Sequence, residues 1–351
     1  MSEIIIRKMR PEEANVLKKL GKRAFLSFES LFITMPKDAL VAEIDGRIVS
    51  GVIVKIVKGT GSSKVGYIDF AFVDRAFQNQ GIGNKIYKAT IDYLWSEGCD
   101  FITALVKDDN VGSFALLEKN GLSRVTIYEA RRVIGTKGFL NQLVHTALSF
   151  GYGMDFYLGS SEKQKMVEPK QNHNIEQISA YLGVNIGFLL LATFFTGNFT
   201  IELLGAYLTL LGSTILSGFI MTFFSKREWN YRLLNGGIIF PVISTLLGGV
   251  FPMGGNWYPK KYENTRAFHK AMGLNASISW IALLLITYCT FFFDKNNLFY
   301  FYINQIGVMF LLYRVVAFYP LSSFGGRRVF IWNKAMYLIL SILSILLIWL
   351  K

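Results

Sequence analysis

Cysteine is nearly absent: Cys99 and Cys289 are the only two in 351 residues. They make neither a metal-ligand spacing nor a bridge framework, which excludes a disulfide scaffold and suits a reducing cytoplasm. Histidine is as sparse, with His145, His173 and His269. Charge is thin as well. Asp, Glu, Lys and Arg make up 17% of the chain, against roughly 25% in an average soluble protein. The deficit is uneven: residues 1–180 hold 24 Lys and Arg and 20 Asp and Glu, net +4, while residues 181–351 hold 13 and 4, net +9. The first half reads as soluble and the second as a membrane domain, which excludes both a single soluble globule and a disordered chain. A secretory leader is not expected, because Met1–Arg10 is short and charged and runs into Pro11-Glu12-Glu13.

The soluble half alternates strand and helix patterns. Ile4–Lys8 is β-branched, and Pro11-Glu12-Glu13 opens a helix through about Ala24. Ala39–Ile44 and Ile48–Val57 are strands joined by Asp45-Gly46-Arg47, a hairpin signal. Val65–Val73 is a longer strand, and Gly83–Glu97 a helix with Ile82, Ile86, Ile91 and Leu94 as its apolar stripe. Phe101–Val106 reads as a strand, Val111–Asn120 as a helix and Arg124–Val133 as a strand. This order predicts an α+β arrangement: a mixed, mainly antiparallel sheet with helices on both faces. An all-α transmembrane bundle is expected to follow.

Between the strand ending at Val73 and the helix from Gly83 lies Asp74-Arg75-Ala76-Phe77-Gln78-Asn79-Gln80-Gly81-Ile82-Gly83. Glycines there permit a tight turn whose backbone N–H groups point one way. With a helix N-terminus behind it, such a turn is either a plain connection or an anion cradle suited to a pyrophosphate.

The segment Gln78-Asn79-Gln80-Gly81-Ile82-Gly83 fits (Gln/Arg)-x-x-Gly-x-(Gly/Ala), and residues 2–135 resemble the GCN5-related N-acetyltransferases, the GNAT family. The family's next motif, Asn-x-x-(Ala/Ser)-x-x-x-Tyr-x-x-x-Gly-Phe, is met by Asn110, Ser113, Gly121 and, loosely, Leu122. The resemblance implies acetyl-CoA as acyl donor, lying where the strand Ile68–Val73 diverges from Phe101–Val106. Its pantetheine would pair with backbone at Phe72 and Val73. Its pyrophosphate would rest on Gln78, Asn79, Gln80, Gly81, Ile82 and Gly83, with Asn110 and Ser113 as further contacts. The family's chemistry is direct attack of an amine on the thioester, which needs a base for the amine and a proton for the departing thiolate. Here the chain departs from the family: Leu117 stands seven residues after Asn110, where the proton-donating Tyr belongs. Tyr67 and Tyr128 are possible substitutes, or else packing residues. Asp69, which interrupts an apolar strand, is the best general-base candidate, acting through water; alternatively it is a hydrogen-bonded strand carboxylate.

Phe139, Leu140, Leu143 and Val144 recur at helical spacing, either as a helix on the bilayer surface or, the favoured reading, as one packed on the sheet. Met154–Leu158 follows as a last strand. The acetyltransferase domain is accordingly set at 1–158 (core 2–135), a linker bearing Lys163, Lys165 and Lys170 at 159–177, and the transmembrane domain at 178–351. Apolar stretches long enough to span lie at Ile178–Thr196, Thr200–Phe224, Leu274–Phe293, Leu298–Tyr319 and Met336–Leu350. A sixth, Leu234–Phe251, is interrupted by Asn235, Gly236, Gly237, Pro241, Gly248 and Gly249. If it only dips in and returns, every basic connection (around Lys226 and Arg227, Lys260 and Lys261, Arg327 and Arg328) faces the cytoplasm, as the positive-inside rule demands. The expectation is therefore five spans plus one re-entrant segment near 234–251, a cytoplasmic N-terminal domain and an external C-terminus in a multi-pass protein of the cell membrane. Arg314, near a span's end, is expected to snorkel to the interface.

The layout also resembles site-2 metalloproteases. Tyr319-Pro320-Leu321-Ser322-Ser323-Phe324-Gly325 looks like that family's Pro-x-x-Pro-Leu-Asp-Gly with Phe324 for the metal-binding Asp. Thr214–Gly218 falls at its HExxH position and Asn275–Ser279 at its Gly-Pro-x-x-Asn position. Those positions lack zinc ligands, so no metal and no proteolysis are expected. The leading reading is a membrane-tethered N-acetyltransferase acting on an amine: a protein N-terminus, a lysine, an amino-sugar or a polyamine. The rival is a non-catalytic acyl-CoA sensor coupled to a pseudoprotease-like membrane domain. The lipid bilayer is an expected partner and nucleic acid is not, because the net positive charge follows the inside loops.

Overall fold

The computed structural model describes residues 3–25, 28–107, 110–146, 154–161, 173–234, 237–263, 265–294, 296–317 and 321–350. Most of the expected linker, with Lys163, Lys165 and Lys170, lies outside the described residues, as do Asn235, Gly236, Tyr319 and Pro320. The chain divides into two units, Met1–Phe150 with Met154–Lys170, and Gln171–Lys351 with Gly151–Gly153.

In the N-terminal unit β1 (Ile5–Lys8) leads through a 3-10 turn at Pro11–Glu13 into α1 (Ala14–Ala24). Arg7 binds Glu13 at 2.6 Å and Glu43 at 2.5 Å, tying the start of that helix to the sheet. The Arg7 guanidinium holds the Glu13 carboxyl down at about 2. β2 (Ala39–Ile44) and β3 (Arg47–Lys58) form the expected hairpin, with Asp45 at φ 49° and Gly46 at φ 76°, the left-handed pair that a tight two-residue turn requires. β4 (Lys64–Val73), α2 (Ile82–Ser96), β5 (Phe101–Lys107) and α3 (Val111–Lys119) follow.

Arg124–Val133, expected as one strand, is instead a three-residue β6 (Ser123–Val125) and a helix, α4 (Ile127–Ile134). The cause is local: the Thr126 hydroxyl accepts from the Glu129 amide at 3.2 Å and the Glu129 carboxylate accepts from the Thr126 amide at 2.7 Å. This reciprocal cap starts a helix whatever the β-propensity of its neighbours. α5 (Thr136–His145) packs on the sheet, with Phe139 against Phe156. β7 (Met154–Ser160) is not an edge strand, because it enters between β5 and β6. The sheet order is β1-β2-β3-β4-β5-β7-β6, antiparallel throughout except for β4 with β5.

The C-terminal unit is mostly helical. α6 (Asn174–Thr196) and α7 (Ile201–Phe223) are joined by a four-residue turn, β8 (Trp229–Leu233) and β9 (Gly255–Pro259) flank the short α8 (Ile239–Leu246), and α9 (Arg266–Cys289) precedes α10 (Leu298–Val315). α11 (Gly326–Trp332) and α12 (Lys334–Trp349) complete it. Among the described residues, α6, α7, α9 with its 3-10 extension to Phe292, and α10 are four helices long and apolar enough to cross a membrane. α12, at the expected fifth span, is a shorter apolar helix of 16 residues, about 24 Å at ~1.5 Å per residue.

The segment expected to re-enter holds α8, whose 8 residues span only ~12 Å. Behind it the Met253 amide donates to Asn185 Oδ1 at 2.8 Å, and the Tyr207 hydroxyl donates to the same oxygen at 3.2 Å. Non-helical backbone is thus satisfied halfway along α6, by protein and not by solvent. The paired β8 and β9 lie against one end of the bundle. The Tyr231 amide donates to Asn174, and the Trp257 indole donates to the Ile215 carbonyl where Gly218 leaves room for the ring.

Candidate active site

β4 and β5 pair in parallel from Val65 with Phe101 to Ile68 with Ala104, and there the pairing stops. Beyond that point β4 stays with β3 and β5 stays with β7, as far as Lys107 with Met154. At the fork β4 bulges: Ile53 faces Phe70 and Val54 faces Ile68, which leaves Asp69 as the extra residue and bends the strand away.

A cleft of about 400 Å³ opens beside the fork. β4 contributes Phe72 and Val73, the turn after it Gln78, Asn79, Gly81, Ile82 and Gly83, and α3 contributes Asn110 and Ser113. Nine of the ten residues expected to hold the cofactor therefore meet in one cavity. Gln80 does not line it, and its side-chain amide donates to the Ala76 carbonyl at 3.4 Å.

The cradle follows from backbone. Asn79 (φ 62°) and Gly81 (φ 76°) are left-handed, and Gly81 is the N-cap of α2 with no side chain capping the first turn. The leading amides of a 15-residue helix are thus available to a ligand, at the end that carries about half a positive charge. A Cβ built at Gly83 would sit 3.7 Å from Leu116 and 4.0 Å from Val73, an ordinary contact. The turn is braced by Asp74, which accepts from the Ala76 amide and pairs with Arg47 at 3.0 Å, and by Gln78, which donates to the Val73 carbonyl at 3.2 Å. Asn110 caps α3 by accepting from the Ser113 amide at 3.2 Å and also lines the cleft.

The three expected catalytic side chains are not all brought together. Asp69 pairs with Lys55 at 2.7 Å, and Lys55 also donates to the His145 carbonyl at 3.1 Å, on the side of the sheet that α5 covers. Burial pushes the Asp69 carboxyl above its ordinary range, and the hydrogen bond from Lys55 opposes this. Tyr67 is 3% exposed within an apolar cluster with Val57, Phe101 and Leu105, and the Lys55 ammonium lies 5.9 Å from its ring centre. Tyr128 stands apart, 73% exposed on α4. None of the three lines the cleft. Leu117 is fully buried, and it is Leu116 that faces the cavity.

Sequence reasoning missed Ser50 and Tyr87. Ser50 lines the cleft and donates to the Phe72 carbonyl at 2.7 Å. Tyr87 lines it from α2, bonded to Ser113, with burial pushing its phenol up. The signal was present: Gly83 and Tyr87 are one helical turn apart and share a face.

Residues 7–122 match the acetyltransferase (GNAT) family. Among solved structures, the NatC complex bound to Gag peptide and CoA is similar at 16% identity, over 45% of this chain and 99% of that one, with a TM-score of 0.32. The ribosomal-protein-S18-alanine N-acetyltransferase from Escherichia coli gives 17% identity, 48% and 98% coverage, and 0.32. N-acetylglutamate synthase from Neisseria gonorrhoeae, complexed with coenzyme A and N-acetyl-glutamate, gives 17%, 46% and 35%, and 0.34. No curated protein matches. Likenesses of this size say nothing about the acceptor. The N-terminal unit has the GNAT acetyltransferase fold, and a mostly helical region with four candidate transmembrane helices follows it.

Proposed function

We propose that the chain is a membrane-tethered N-acetyltransferase that moves acetyl from acetyl-CoA to an amine. The observation that carries this reading is the cleft at the β4–β5 fork, floored by the uncapped N-terminus of α2. Oriented amides and the helix dipole suit a pyrophosphate, and the edge of β4 that β5 has left offers backbone around Phe72 and Val73 to the pantetheine. The amine nitrogen attacks the thioester carbon, the carbon–sulfur bond breaks, and the departing thiolate takes a proton. Asp69 is the proposed base, drawing the amine's proton through water. Tyr87 is the proposed donor, since its buried phenol stays protonated and lies in the cleft where Leu116 and Leu117 cannot donate. Four apolar helices support the tether. The proposed topology has α12 as a fifth span, the segment 234–251 re-entrant, the acetyltransferase cytoplasmic and the C-terminus outside. The acceptor is a protein N-terminus, a lysine, an amino-sugar or a polyamine.

A second reading, an acyl-CoA sensor on a protease-derived bundle without metal ligands, is favoured by two observations. Leu117 is buried where the family's donor belongs, and Thr214 and Phe324, at two of the three protease-like motifs, line one cavity of the C-terminal unit. Calorimetry on the full chain in detergent tests the shared premise. Saturable CoA binding is expected, weakened 100-fold or more by Gly83→Glu, whose Cβ fits but whose carboxylate enters the cradle. No heat at millimolar CoA, or unchanged affinity in the variant, overturns both readings. Binding with acetyl transfer selects the enzyme; binding without turnover selects the sensor.

A further inference from the structure

The C-terminal unit holds five carboxylates: Glu176, Glu202, Glu228, Glu263 and Asp294. Glu228 pairs with Lys260 and Glu263 with Arg227, each at 2.9 Å. Glu202 lies in the first turn of α7 and Asp294 follows α9, both at the end of the bundle away from β8 and β9, and Glu176 is exposed. None is placed to meet Arg314, which sits at the last turn of α10 and is 5% exposed.

Arg314 does not snorkel. Among the described residues its guanidinium makes one hydrogen bond, from Nη1 to the Ala276 carbonyl, at the limiting distance of 3.5 Å. A guanidinium has five N–H donors and keeps its charge at any physiological pH, so burial cannot neutralise it as it would a lysine. A charge held this way is costly unless an anion joins it.

The side chain lines a small cavity at the tip of the loop that enters the bundle. Its other polar walls are Tyr181 and Thr214, whose hydroxyls share a hydrogen bond, and Asn256 and Ser323. Asn256 donates to the Ser323 carbonyl at 2.7 Å, clamping the entering loop to the Leu321–Phe324 turn. Nearby, α11 begins against the backbone of Arg314 itself: a Cβ at Gly326 would lie 1.8 Å from the Arg314 carbonyl oxygen.

We infer that this cavity is a binding site for one oxyanion, a phosphate or carboxylate that completes Arg314. The group comes either free, as inorganic phosphate, or as the headgroup of a membrane amphiphile. The site is distinct from the acetyl-CoA cleft and independent of how that cleft is used.

The test follows thermal unfolding of the full chain in a non-ionic detergent during titration with inorganic phosphate, a fatty acid or phosphatidic acid, with diacylglycerol as the neutral control. At least one anionic probe should raise the melting temperature saturably by ~3 °C or more, and diacylglycerol should not. A response to phosphate assigns the free ion; a response to the amphiphiles alone assigns a lipid headgroup. Arg314→Met should melt no lower than the parent without probe, because a buried charge is gone, and should lose the anion response. Arg314→Gln carries the same comparison should the methionine variant not fold. No response from the parent to any anion, an equal response to diacylglycerol, or an undiminished response in the variants overturns the site and leaves the surface lysines as the binders.

Discussion

The two units partner their cations in different ways. In the N-terminal unit a cation meets a carboxylate: Arg7 is held by Glu13 and Glu43, Lys55 by Asp69 and Arg47 by Asp74. In the C-terminal unit, where only four of the chain's 24 carboxylates follow residue 180, Arg227 and Lys260 still pair with Glu263 and Glu228 at the surface, but buried arginines lie on aromatic faces. Arg232 and Arg328 each stand 4.3 Å from the centre of the Tyr258 ring. Acids are expensive at membrane depth, and in a sequence this apolar, with so few of them, the ring quadrupole takes over part of their work. Carboxylates are plentiful in the N-terminal unit and scarce in the helical one.

The largest expected effect comes from breaking a pair in the N-terminal unit. Asp69→Asn should lower the acetylation rate by ~100-fold or more if the carboxylate is the base, while CoA affinity stays within a factor of about two. An equal loss in CoA binding would make it a structural residue. Next is the aromatic clamp. Tyr258→Leu should destabilise by ~3 kcal/mol or more, since two buried guanidinium groups lose a ring each gains about 1–2 kcal/mol from, whereas Tyr258→Phe should cost only about 1 kcal/mol. Equal losses in chemical denaturation would locate the effect in the hydroxyl.

Arg7→Met should cost ~1–3 kcal/mol through lost charge-assisted hydrogen bonds and should change the acid response. With the Glu13 carboxyl held at about 2, its contribution is present above the usual carboxylate range near 4.5 and disappears as pH falls toward 2. The parent should lose stability across that window and the variant should not, as read by melts at pH 5 and pH 3. The smallest effect is chemical. The buried Cys99 thiol, pushed up to about 11, should resist alkylation in detergent at pH 7.5, while exposed Cys289 reacts. Peptide mass mapping reads both. In intact cells a membrane-impermeant maleimide reaching Cys289 only from outside would support the proposed orientation.

Local chemistry was the legible part. Asp45-Gly46 announces its turn because only left-handed backbone closes a two-residue hairpin, and Gln78–Gly83 announces a cradle because strand, glycines and helix come in sequence. The Thr126–Glu129 cap, by contrast, overrides the strand expected over Arg124–Val133 and starts α4 there. Partnerships across long stretches of chain were not legible. The entry of β7 beside β5, the pairing of Asp69 with Lys55 and the burial of Tyr67 depend on which faces meet, and period-two patterning is silent on that. In the helical half the composition indicated apolar spans, but not that Asn185, Tyr207 and Met253 would share one hydrogen-bonded node. Nor could it show that Arg314 would turn inward.

Gly326 carries a consequence of its own. Its α-hydrogen stands where any methyl would drive into the Arg314 carbonyl of α10, so every non-synonymous change at this codon wedges two neighbouring helices apart. Saturation mutagenesis should find the position intolerant even of alanine, a steric veto set by the main chain that no compensating change in a side chain can lift.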